Sequence, residues 1–87
     1  MITINNYYEQ EVAHQIEQIS AQYPEFDDAD LSDVACIALN KFPPKYYRHN
    51  IDLKFYTSAA ELNEIEESVA QAIADAAIVV QNNPRND

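Results

Sequence analysis

The chain has 87 residues, a formal net charge of -10, a pI of about 4.3 and one cysteine: room for one small domain, with too few thiols for an internal disulfide or a multi-thiolate metal site. Its mean field repels long nucleic acid and anionic membranes, and no apolar run approaches the ~20 residues that span a bilayer. Glycine is absent, which excludes glycine-rich phosphate loops and leaves Asn, Asp and Pro to make the turns.

Asn40, Asn50 and Asn82 are the residues expected to take a left-handed backbone where a turn needs one. The first residues lack the basic-then-apolar pattern of a secretory signal, so a cytoplasmic location is expected. A domain of this size buries only about 60–65% of its unfolded surface, and association with a second copy is a natural supplement.

Residues 1–4 form a short alternating segment. Asn6 and Glu9 then have the spacing of a helix N-cap with its reciprocal partner. Tyr8, Val12, Ile16, Ile19 and Tyr23 recur at steps of four or three, one apolar stripe on a helix that Pro24 stops. Residues 24–29 read as a loop, and Asp30 is placed to cap a second helix with Asp33 in its first turn. Leu31, Val34, Ala35, Cys36, Ile37, Ala38 and Leu39 make that helix apolar nearly all round, which predicts the most buried element of the chain. Phe42 precedes Pro43 and is driven from helical geometry, so the helix should end near Lys41.

Beyond the prolines, Ile51, Leu53 and Phe55 alternate with Asp52 and Lys54, the period of a half-covered strand. Such a strand needs a partner, either residues 1–4 or the same strand of a second subunit; an extended arm lying on the helices gives the same pattern. Ser58 and Glu61 repeat the capping spacing and open a helix running to Gln81. Leu62, Ile65, Val69, Ala72, Ala76 and Val79 step along it by three and four, with Ile73, Ala77 and Val80 widening the stripe. That pattern suits a dimer seam, and it suits packing on the second helix equally. Residues 82–87 should fray. The expected fold is mainly α: a single domain over residues 1–87, three helices with a short extended or β segment between the second and third, homodimeric.

Most candidate sites have a plain structural reading. Asp27, Asp28, Asp30 and Asp33 lack the spacing and central glycine of a calcium loop and suit capping and solvation. Glu11 and His14 have a Glu-x-x-His spacing but lie towards the polar side of their helix, and no metal site is assigned. Cys36 sits inside an apolar helix, the place of a structural thiol. No nucleophile with its base is readable, so the chain is expected not to be an enzyme.

The informative segment holds four of the five basic residues, Lys41, Lys45, Arg48 and Lys54, around Pro43 and Pro44 and beside Phe42, Tyr46 and Tyr47. Arg48 offers a planar fork to phosphate or a guanine edge, Lys41 and Lys45 neutralise phosphate, and Tyr46 or Tyr47 can stack on a base. The alternative is a turn anchored by Phe42 and one tyrosine, with cations that balance neighbouring acids. The candidate ligand contacts are Asn40, Lys41, Lys45, Tyr46, Tyr47 and Arg48. Of the two adjacent tyrosines, one should face the core and one solvent.

The run Asp33-Val34-Ala35-Cys36-Ile37-Ala38-Leu39-Asn40-Lys41-Phe42-Pro43-Pro44-Lys45-Tyr46, with Asn6, Glu9 and Val12 upstream, resembles the signature of the late competence protein ComFB family over about residues 4–57. The resemblance implies a small, mainly helical homodimer. It also implies a cytoplasmic receptor for a cyclic dinucleotide, cyclic di-GMP above others, that passes its state to a downstream regulatory protein. A ligand-free protein-interaction module of the same family is the alternative. Some members carry a zinc-binding cysteine cluster before the second helix. Here Phe26, Asp27, Asp28, Ala29 and Asp30 fill that loop, so zinc is not implied, and no cofactor is expected.

Overall fold

The computed structural model of the chain describes residues 2–49 and 57–83. The alternating run Ile51, Leu53 and Phe55, the turn expected at Asn50, Lys54 of the basic segment and the end of the tail beyond Asn83 lie outside the described residues. Among those described, β1 (Asn5–Asn6) leads directly into α1 (Tyr7–Ile19), which tightens into a 3-10 turn (Ser20–Gln22). Next come α2 (Asp28–Leu39), β2 (Tyr46–Tyr47) and α3 (Ala59–Asn82), three helices with a two-stranded ribbon.

The helix starts follow from local side-chain bonds. The Asn6 side chain accepts from the Tyr8 amide at 3.2 Å and caps α1, as its position predicts. Ser58 Oγ accepts from the Glu61 amide at 3.1 Å and caps α3. For α2 the cap is Asp27, not Asp30. Asp27 Oδ1 accepts from the Asp30 amide at 2.8 Å while Asp30 Oδ2 accepts from the Asp27 amide at 3.0 Å. This reciprocal pair satisfies two amides at once and starts the helix at Asp28.

The helix ends differ more from expectation. α1 stops at Ile19, before Pro24 is reached, because the Ser20 hydroxyl donates to the Glu17 carbonyl at 3.0 Å and the Tyr23 amide turns back to Ser20 O at 3.1 Å. Tyr23 and Phe26 stack at 5.1 Å across the turn that follows. α2 ends at Leu39 on Asn40, whose φ of -67° and ψ of -10° are right-handed. No described residue has a positive φ, so the left-handed geometry expected at Asn40 and Asn82 is not used: α2 closes in a right-handed turn, and Asn82 is still helical.

Val12 and Ile16 of α1, Val34 and Ala38 of α2, and Val69, Ala72, Ile73, Ala76 and Val80 of α3 form one buried cluster. α3 packs on both other helices and supplies six buried residues, yet most of its length is exposed, whereas most of α2 is buried or half-buried, in line with its apolar sequence. The four-residue step from Val34 to Ala38 gives α2 a single inward line, and Cys36 on its outer side is exposed. The stripe predicted on α3 holds, except that Val79 points outward and Val80 takes its place.

Candidate functional site

Asn6 does two things with one oxygen. Besides capping α1, its Oδ1 accepts from the Lys45 amide at 3.1 Å, and the neighbouring Tyr7 amide donates to the Lys45 carbonyl at 2.8 Å. The antiparallel register of Asn5 with Tyr47 and Asn6 with Tyr46 continues that contact. Asn5 Nδ2 then donates to the Arg48 carbonyl at 3.1 Å, and the Tyr47 hydroxyl donates to Gln10 Oε1. The backbone from Lys45 to Arg48 is therefore pinned to the start of α1. The strand partner of Tyr46–Tyr47 is Asn5–Asn6; the strand expected to pair with residues 1–4 lies outside the described residues.

Extended geometry sends alternate side chains to opposite sides, and the two tyrosines part as expected. Tyr47 is half-buried, edge-on to Tyr7 at 6.5 Å and 68°. Tyr46 is 67% exposed, and Arg48, two residues on, is exposed as well. Thr3, Ile4, Tyr46 and Tyr47 line an open, apolar cleft of about 500 Å³. Thr3 and Ile4 were legible in the sequence only as part of an alternating segment; nothing local signals that they meet Tyr46.

The other members of the candidate set lie elsewhere. Asn40 closes α2, and Lys41 Nζ reaches Asp75 Oδ2 of α3 at 3.7 Å. Gln71 Nε2 donates to the other oxygen of Asp75 at 3.0 Å. Phe42 stacks almost parallel on Tyr8 at 4.6 Å and anchors the turn before the two prolines. The six candidates thus form two groups, Asn40 with Lys41 against α3, and Lys45 to Arg48 against β1 and α1.

Tyr7, between these elements, has its phenol held above the usual tyrosine range by burial and, secondarily, by the charges of Glu11 and Glu66. A phenol with a raised folded pKa keeps its stabilising protonated form below the unfolded pKa of about 10 and loses that contribution as pH climbs through the folded value. Unfolding midpoints should therefore fall above pH ~10 more steeply in the natural chain than in Tyr7→Phe, which denaturation at a series of alkaline pH values measures.

Among the described residues, no group of three His, Cys, Asp or Glu is placed to hold a metal. Glu11 accepts from Gln15 at 2.9 Å, and His14 is exposed. No described helix is long and apolar enough to cross a membrane.

Residues 5–84 match the model of one protein family, that of the late competence development protein ComFB. No curated protein and no solved structure gives a significant match.

Proposed function

We propose a function from one premise, that the chain belongs to the late competence development protein ComFB family: it is a non-enzymatic, cytoplasmic, homodimeric regulator that binds a cyclic dinucleotide, cyclic di-GMP above others, and passes its state to a regulatory protein partner. The observation that carries this reading is the exposed face of Tyr46 on an apolar cleft, with Lys45 and Arg48 on either side in sequence and the backbone beneath them fixed by Asn5 and Asn6. Tyr46 supplies a stacking surface for a base. Arg48 supplies paired donors for a phosphate or a guanine edge, and Lys45 a point charge. A bounded dianion suits this patch better than a polyanion, because short-range contacts act at the cleft while the charge of -10 repels at longer range.

Calorimetric titration with cyclic di-GMP and cyclic di-AMP tests the reading. Stacking on an aromatic side chain contributes about 1–3 kcal/mol per base, so Tyr46→Ala should weaken binding roughly tenfold and Tyr46→Phe should retain most of it. Absence of heat and of thermal shift with either nucleotide at high micromolar concentration would remove the ligand from the proposal.

The exposure of Ile4, which lines the cleft with Tyr46, supports the second reading, a ligand-free module whose apolar cleft takes a protein side chain. A stable partner whose binding ignores nucleotides and survives Arg48→Ala would favour it.

A further inference from the structure

The α3 stripe that suits a dimer seam is used inside the chain, where Val69, Ala72, Ile73, Ala76, Ala77 and Val80 are buried. Beside α2, α3 leaves Val79 46% exposed. On α2, Cys36 is exposed and Ile37 half-buried, and both line one groove of about 220 Å³ with Val79 and Val80. Residues 34–40 and 76–83 carry no charged side chain. In a chain of net charge -10, the groove has a single carboxylate, Asp33, among its lining residues, so a second copy meets little like charge there.

The charges that bound the face are arranged for self-complementarity. Asp33 stands four residues before Ile37 and Lys41 four residues after it. A twofold axis through Ile37 lays two α2 helices antiparallel, with Asp33 of each copy beside Lys41 of the other, as an isologous contact requires. Lys41 already pairs with Asp75 at 3.7 Å, but both side chains are about half exposed, at 43% and 50%. The ammonium can therefore serve acids on both sides of it.

We infer that the α2 face centred on Cys36 and Ile37, extended by Val79 of α3, is where two copies of this chain meet. The inference rests on the homodimer in the proposed function and gives it a location; it makes no use of the nucleotide.

Because Cys36 is the chain's one thiol and lies next to the axis, a short bis-maleimide should convert the nucleotide-free protein at micromolar concentration into a covalent species of twice 9.9 kDa. In sedimentation equilibrium, Val79→Asp should raise the dimer dissociation constant at least about tenfold. Helical circular dichroism should confirm that the fold of this variant persists. Lys41→Glu should weaken the dimer, and adding Asp33→Lys should restore it. A natural chain that sediments near 9.9 kDa overturns the inference together with the homodimer. A dimer that neither cross-links through Cys36 nor responds to these substitutions overturns the face alone, and nucleotide calorimetry bears on neither outcome.

Discussion

Asn6→Ala is expected to lower the unfolding free energy by about 2–4 kcal/mol, a large share of the 5–15 kcal/mol typical of a natural domain. One carboxamide oxygen serves both the Tyr8 amide at the start of α1 and the Lys45 amide 39 residues away in sequence. Alanine removes a helix cap, which costs about 1 kcal/mol, and leaves the half-buried Lys45 amide, just before β2, without its acceptor, which costs about 1–3 kcal/mol more. Asn6→Asp keeps an acceptor in the same place and adds negative charge at a helix N-terminus, so it should recover most of the loss. Urea denaturation of the three proteins measures the difference. Equal stability of Asn6→Ala and the natural chain would mean that water replaces both bonds. The effect should also reach the cleft, because the loosened segment carries Tyr46 and Arg48.

Ala76→Leu is the second large effect, with an expected loss of about 2–3 kcal/mol, in the upper part of the range for overpacked cores. Ala38 and Ala76 are fully buried members of the same cluster, in which α2 lies along α3. Methyl-sized side chains let helix axes approach to about 8 Å, the near end of the usual range. Three extra carbons at Ala76 have no space there unless α2 moves outward. That movement would also separate Lys41 from Asp75 and reshape the groove beside Cys36. Ala74→Leu, on the exposed side of the same helix, should change stability by no more than about 0.5 kcal/mol. Thermal melts distinguish the two, since 1 kcal/mol moves the midpoint of a domain this small by about 4–8 °C.

The legible parts of the fold are those governed by contacts close in sequence. Asn6 and Ser58 act as caps because each bonds an amide two or three residues ahead, within reach of spacing arguments. Asp27 and Asp30 show where such arguments stop. Two aspartates three apart can each be read as the cap, and here they serve each other. Within α2 the outward side was not legible, because Cys36 and Ile37 are as apolar as Val34 and Ala38. Which side turns inward is decided by α3, a partner distant in sequence.

The candidate site divides in the same way. Alternation along an extended chain separates Tyr46 from Tyr47 correctly. Their strand partner is a pair of asparagines, a residue type depleted in strands, so propensity gave no sign of it. Lys41 shared the charge and neighbourhood of Lys45, yet a carboxylate on another helix holds it apart.

The right-handed turns of this chain have a consequence for its unfolded ensemble. An average sequence of this length would contain about six glycines at ~7% usage. Each glycine replaced at a position whose backbone suits any L-residue is worth roughly 0.4–1 kcal/mol, chiefly through the conformations that the unfolded chain no longer samples. With no glycine in the sequence and no positive φ among the described residues, the saving is on the order of 2–6 kcal/mol. A small domain that buries little surface is thus steadied partly by the stiffness of its denatured form, a contribution that no contact in the folded molecule displays.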